Sequence, residues 1–167
     1  MTFDRCTNGD VVAFQGNGRF SRLVSWFTGS VFTHVAVVVL VRVSAIDDPV
    51  PCIVESHSTG GYRLRPLCSL TRPFWLFKTG AKWRQEAAHL AFRYLGTYKY
   101  AWLNIALAFF GLRMVTIGGH MVCHQFVARI LNKCGVHVGR PQSPKALLEA
   151  LPNTEAIKIT PNGPCFD

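Results

Sequence analysis

Val31-Phe32-Thr33-His34-Val35-Ala36-Val37-Val38-Val39-Leu40-Val41-Arg42-Val43 is the stretch that decides the fold. It is almost continuously apolar and rich in β-branched valine. It falls short of the ~20 residues that a helix needs to cross a bilayer. It therefore reads as a central strand buried on both faces. His34 stands near its start. A histidine in a core strand is ordinarily satisfied by a backbone group, so its meaning depends on what the neighbouring segments bring to it.

Upstream, Asn8-Gly9-Asp10 reads as a turn and Val11-Val12-Ala13-Phe14 as a first strand. Gly16-Asn17-Gly18 is a second turn. It lacks the third glycine of a dinucleotide loop, and the segment is too short for one. From Arg19 to Phe27 the apolar residues Phe20, Leu23, Val24 and Phe27 share a helical face, and Gly29 ends it. Downstream, Asp47-Asp48-Pro49 marks a hairpin loop, and Cys52-Ile53-Val54-Glu55-Ser56-His57 is the returning strand. Gly60-Gly61 turns the chain into Tyr62 to Leu67, and Phe74 to Lys78 is a further strand with Pro73 at its entry.

The spacing predicts a helix over Trp83 to Tyr94, closed by Gly96. Ala101 to Ile117 is apolar but interrupted by Asn104 and Arg113, which suits a buried helix or a hydrophobic flap better than a membrane span. Gly118-Gly119 then precedes a short amphipathic helix carrying Val122, Phe126, Val127, Ile130 and Leu131, with Gly135 as its C-terminal cap. Ser143-Pro144 opens another helix, with Leu147, Leu148 and Leu151 on its apolar side and Pro152 stopping it. Ala156 to Thr160 is a last strand. The order of elements predicts an α+β domain over residues 1–167, a small antiparallel sheet with helices packed on it.

Cys123 falls in the first turn of its helix. Free backbone N–H groups and the helix dipole favour a thiolate there. Thiol catalysis needs a nucleophile, a base within hydrogen-bond reach and a group that orients the base. Glu55 lies on the strand expected to pair with the His34 strand, so the two side chains can share a face. A buried carboxylate also needs a partner. A helix laid across that face would bring Cys123 to the imidazole. The candidate catalytic residues are therefore Cys123 as nucleophile, His34 as base and Glu55 as its orienting acid. His57, on the Glu55 face, and His120 and His124, flanking Cys123, compete for roles. A metal site from His120, Cys123, His124 and Cys134 matches no usual zinc spacing, and no Gly-x-Ser-x-Gly elbow supports a serine enzyme. No metal or cofactor is expected.

These segments resemble the circularly permuted NlpC-like branch of the papain-fold cysteine hydrolases, which includes the lecithin retinol acyltransferase-like proteins. Gly9 to Phe14 is similar to the family's opening strand and Phe20 to Gly29 to its first helix. Phe32-Thr33-His34-Val35-Ala36-Val37-Val38 is similar to its histidine strand, Ile53-Val54-Glu55-Ser56 to its acidic strand, and Met121 to Val127 to its nucleophile helix. The order His, acid, Cys is that of the permuted branch. The resemblance implies a permuted papain-like fold, with a sheet or half-barrel against helices and the nucleophile helix following the His and Glu strands. It also implies a Cys-His-Glu triad acting through an acyl-enzyme. His124 departs from the serine that often follows the family's nucleophile. Gly96-Thr97-Tyr98-Lys99-Tyr100 is offset from its Gly-x-x-Tyr element, so Tyr98 and Tyr100 receive no role.

The 167 residues are 49% hydrophobic, which disfavours disorder. A domain of this size does not need its six scattered cysteines as staples, so most read as reduced thiols made in a reducing compartment. No secretory signal opens the chain, which leaves carriage by a phage particle or other delivery machine as one route to an extracellular target. The net charge of +9 is concentrated in Arg63, Arg65, Arg72, Lys78, Lys82 and Arg84, with no acid among them. An anionic partner is expected: a cell-wall peptide or a phospholipid surface. No motif for specific nucleic-acid binding accompanies the charge. The function expected is a cysteine hydrolase cleaving an amide bond of peptidoglycan peptides. The alternatives are a lipid-directed acyl hydrolase or acyltransferase, and an inactive binding or structural module of the same fold.

Overall fold

The computed structural model describes residues 5–42, 44–57, 61–96, 121–152 and 154–161. The Ala101–Ile117 segment, Gly118-Gly119, His120, Tyr98 and Tyr100 lie outside them.

The described residues form a six-stranded, wholly antiparallel sheet with four α-helices. In chain order they are β1 (Val11–Gln15), α1 (Arg19–Thr28), β2 (Phe32–Val41), β3 (Val50–His57), β4 (Gly61–Pro66), a 3₁₀ turn (Leu67–Ser69), β5 (Phe74–Phe77), α2 (Gln85–Arg93), α3 (Cys123–Lys133), α4 (Pro144–Glu149) and β6 (Ala156–Ile159). The sheet order is β4-β3-β2-β1-β5-β6. The valine-rich stretch is thus an inner strand, hydrogen-bonded on both edges.

Alternation along β2 feeds two cores, as a strand buried on both faces must. Val35, Val37 and Val39 point to the larger one, with Val11, Ala13, Val54, Phe126, Val127, Ile130 and Leu131. Ala36 and Val38 point the other way, to a smaller core with Val12, Ile53, Leu67, Phe74 and Leu76. Helix α3 lies on the first face and is buried on most of its circumference. It is covered in turn by α2, through Ala87 and Ala91, and by α4, through Leu147.

The caps follow the sequence. Gly29 ends α1 in the left-handed region at φ 59°, with its N–H on the Ser25 carbonyl. The Ser143 hydroxyl accepts from the Ala146 N–H at 3.1 Å and Pro144 takes the first helical position. Helix α2 starts two residues later than the Trp83 that its apolar spacing predicts. Arg84 is still extended (φ −124°) and acts as its cap, while Trp83 packs on the core from outside the helix.

Asp10 is fully buried between β1 and β5. It pairs with Lys78 and accepts from the N–H groups of Thr7 (2.8 Å) and Thr79 (3.3 Å). One lysine of the basic stretch is therefore spent inside the fold.

Candidate functional site

Three segments converge at one end of the sheet. The β2–β3 ladder runs from Val41↔Val50 to Val37↔Val54 and stops there. Beyond that point β2 stays with β1 as far as Phe32, and β3 stays with β4 as far as His57↔Gly61. The sheet therefore opens between the two inner strands. His34 and Glu55 stand on either side of the opening.

His34 Nε2 lies 2.6 Å from Glu55 Oε2. The imidazole is flanked by the Phe14 ring, with centroids 5.6 Å apart, and by His57, edge-on at 5.7 Å. The other Glu55 oxygen, Oε1, accepts from Arg63 Nε at 2.5 Å, with Arg65 at 3.8 Å. Arg63 sits directly opposite Glu55 in the β3–β4 register, a cross-strand charge pair. Glu55 is 2% exposed, yet both its oxygens are satisfied.

Cys123 is the first residue of α3 and is 4% exposed. Val122 caps the helix in an extended conformation, and its N–H donates to Gln125 Oε1 at 3.4 Å. Met121 is clamped to the sheet just before it. The Ser56 hydroxyl donates to the Met121 carbonyl at 2.8 Å, and the Met121 N–H donates to the Tyr62 hydroxyl at 3.0 Å. His34 and His124 are the two imidazoles close enough to the Cys123 thiol to lower its pKa. Since Nε2 of His34 faces Glu55, Nδ1 is the ring nitrogen left for the sulfur.

The expectation that α3 lies across the face carrying His34 and Glu55 is corrected here. By alternation, His34 points with Ala36 and Val38, away from α3. The thiol still lies near enough to the imidazole to be affected by it, at the end where the β2–β3 ladder has stopped.

Burial alone would raise the Cys123 pKa. The positive charge of His34 and the hydrogen bonds from His124 and His34 outweigh it and hold the thiol well below its usual range. Burial likewise would lower the His34 pKa, but the Cys123 thiolate and Glu55 hold it well above the ordinary value. Glu55, which burial would raise, is brought down to about 2 by His34 and Arg63. His57 is pushed down by burial, with Arg63 and His34 adding to it. The directions of these shifts favour a thiolate beside an imidazolium and a carboxylate, with Arg63 on the far carboxylate oxygen.

A cleft of about 420 Å³ lies beside this row. His34, Glu55 and His57 line it with Arg63, Arg65 and Arg72. Cys123 does not. The basic stretch of the sequence thus divides: Arg63, Arg65 and Arg72 face the cleft, Lys78 holds Asp10, and Lys82 and Arg84 are exposed.

Among the competing residues, His57 lies against the His34 ring. His124 is 4% exposed, and its Nε2 has no hydrogen-bond partner among the described residues. Cys134 caps the opposite end of α3, about 16 Å from Cys123 at 1.5 Å per residue, so the two cannot share a metal. Cys6, Cys52, Cys123 and Cys134 are free thiols, and Cys68 is disulfide-bonded. Sequence reasoning missed Arg63, Ser56 and Tyr62. The observed register, with His57 facing Gly61, sets Arg63 opposite Glu55, whereas a two-residue turn at Gly60-Gly61 would have set Pro66 there.

No protein-family model and no curated protein matches the chain. In fold it is similar to YiiX. The crystal structure of metalloprotein YiiX from Escherichia coli O157:H7, a DUF1105 protein, aligns with a TM-score of 0.62 over 90% of this chain and 95% of that one, at 15% identity. At that identity the likeness to YiiX is one of architecture. The word metalloprotein describes YiiX; among the described residues of this chain, no group of three or more His, Cys, Asp or Glu is placed to hold a metal ion. Nor is any described helix long and apolar enough to cross a membrane.

Proposed function

We propose that the chain is a cysteine hydrolase of permuted papain-like fold, cleaving an amide bond in peptidoglycan peptides through Cys123, His34 and Glu55. The observation that carries the reading is the 2.6 Å contact between His34 and Glu55, with the Cys123 thiol beside that imidazole and its pKa lowered by it. The α+β architecture, with its antiparallel sheet and its thiol at a helix start, is compatible with that fold.

The Cys123 thiolate attacks the carbonyl carbon, forming a C–S bond and an oxyanion. The backbone N–H of Cys123 has no partner within its helix, being at the first position, and donates to that oxyanion. His34 gives its Nδ1 proton to the leaving nitrogen, the C–N bond breaks, and a thioester remains. Water then attacks the thioester with His34 taking its proton. The C–S bond breaks, the acid departs, and the thiolate–imidazolium pair is restored. Glu55 stays ionised throughout and holds the ring in register.

Incubation with purified sacculi, followed by mass measurement of the Cys123 peptide, tests the reading. A substrate-derived acyl mass on Cys123, with released peptide fragments, is the supporting result. Acylation from phospholipid vesicles instead would move the enzyme to the lipid-directed class. No adduct from either, together with an ordinary thiol pKa at Cys123, would leave a binding module.

A further inference from the structure

We propose that Arg65 and Arg72 receive a compact oxyanion, a carboxylate or a phosphate, carried by the acyl donor beside the Cys123–His34 pair. The inference rests on Cys123 being the nucleophile and adds what the cleft selects.

The cleft has the size of a small-ligand site, about 420 Å³. Its formally charged lining residues are Arg63, Arg65, Arg72 and Glu55, besides the imidazolium of His34. Glu55 has nothing left to offer an arriving cation, because His34 takes one oxygen at 2.6 Å and Arg63 the other at 2.5 Å. Arg65 is a second, looser ion-pair partner of that oxygen at 3.8 Å, beyond hydrogen-bonding distance, so its N–H groups keep donor capacity for a ligand. Arg72 has no acidic partner among the described residues and is exposed at the rim. Arg65 and Arg72 thus line a cavity in which three arginines meet a single carboxylate, one already hydrogen-bonded by His34 and Arg63. A carboxylate or phosphate entering the cleft meets planar donor forks suited to it and no opposing acid. A cationic ligand would find neither a free acid nor an attractive field.

Two alkylating reagents of nearly equal size read this directly on the full chain. Iodoacetate carries a carboxylate and iodoacetamide does not. The quantity measured is the ratio of their rates at Cys123, followed on its peptide by mass, against the same ratio for a small uncharged model thiol. At low ionic strength the wild-type ratio is expected to exceed the reference roughly 5-fold or more. It should fall toward the reference in ~0.5 M salt, and in Arg65→Gln/Arg72→Gln, with Arg65→Lys/Arg72→Lys retaining most of it. The ratio cancels any change in thiol reactivity common to both reagents, and the lysine variant controls for folding. A wild-type ratio equal to the reference, or one unmoved in the glutamine variant, overturns the inference and leaves the proposed function standing. If neither reagent modifies Cys123, the proposed function falls and this inference with it.

Protection of Cys123 from iodoacetamide then separates the two sources of the oxyanion. A peptide with free carboxylates and a monomeric short-chain phosphatidic acid are the probes. Protection by one of them, lost in the glutamine variant, names the carrier. Protection by neither overturns the inference, as does binding to anionic vesicles that leaves Cys123 fully reactive, since the arginines would then serve a membrane-facing surface.

Discussion

Ser56 donates its hydroxyl to the carbonyl of Met121 at 2.8 Å, and so ties the strand that carries Glu55 to the residue two places before the thiol. Both groups are fully buried. Tyr62, opposite Ser56 in the β3–β4 register, completes the clamp by accepting the Met121 N–H at 3.0 Å. Removing either partner strands a buried backbone group, which costs about 1–3 kcal/mol. Ser56→Ala and Tyr62→Phe should each lose stability in that range by denaturant melts. Both should also slow acylation of Cys123 more than they weaken substrate binding, because the thiol loses its register against His34. Unchanged acylation in a destabilised variant would reduce the clamp to a structural tie.

Glu55→Gln keeps the shape of the acid and removes its charge. His34 loses the carboxylate that supports its protonated form, and an amide N–H₂ is set against Arg63 or His34, donor against donor. Activity should fall by about 10²- to 10⁴-fold, as in other triads whose acid is converted to its amide. The thiol pKa at Cys123 should rise with it, read from the pH dependence of iodoacetamide alkylation. A variant with normal turnover would remove Glu55 from the machinery.

The pH dependence of the thiol follows from the same row of charges. The Cys123 pKa is lowered and that of His34 raised, so the reactive pair exists between them. Alkylation of Cys123 should change by about twofold at most between pH 8 and pH 6, whereas an ordinary thiol of pKa ~8.5 slows by about 100-fold over that range. An ordinary titration in the wild type would show that the pair is not ionised at rest.

Glu55 also couples folding to acid. Its folded pKa of about 2 lies below the ordinary value of 4.5, so the unfolded chain binds the proton more readily. The resulting stabilisation is complete above the unfolded pKa and is lost as the pH falls from about 4.5 toward 2, by an amount on the order of 3 kcal/mol. Urea melts of the wild type should weaken across that window, and those of Glu55→Gln should be flatter there. Parallel pH profiles would assign the acid sensitivity to other carboxylates.

His124 helps lower the Cys123 pKa, while its Nε2 is buried without a partner among the described residues. Substitution by phenylalanine removes an unsatisfied polar atom and a thiolate donor together. His124→Phe should therefore stay within about 1 kcal/mol of wild-type stability, while its Cys123 pKa rises. If the melt drops by several kcal/mol and the thiol titration does not move, the imidazole serves packing alone.

Much of the architecture is legible in the chain because local signals agree with the tertiary outcome. The valines of β2, the Gly29 stop and the Ser143-Pro144 start each act over a few residues, and the structure has them where the sequence reads them. The nearness of His34 and Glu55 was also legible, since two strands joined by a short loop must pair. The face on which Cys123 arrives was not. It depends on where the β2–β3 ladder ends, and strand separation leaves no mark in a run of residues that are apolar on both sides of the break. Arg63 escaped notice for another reason: it was read as one of six basic residues in a surface stretch, whereas register alone decides which of them faces Glu55.

On a ribosome the sheet emerges before the helix that will cover it. Five of the six described strands, with the imidazole and its carboxylate, precede residue 78, and the thiol follows at residue 123. Until α3 is synthesised, Val35, Val37 and Val39 lack their apolar cover, a wet surface of the kind that attracts chaperones or aggregates. The half-made chain therefore holds His34 and Glu55 without Cys123. On the proposed function, the docking that buries this surface is also the event that would bring the thiol to its base.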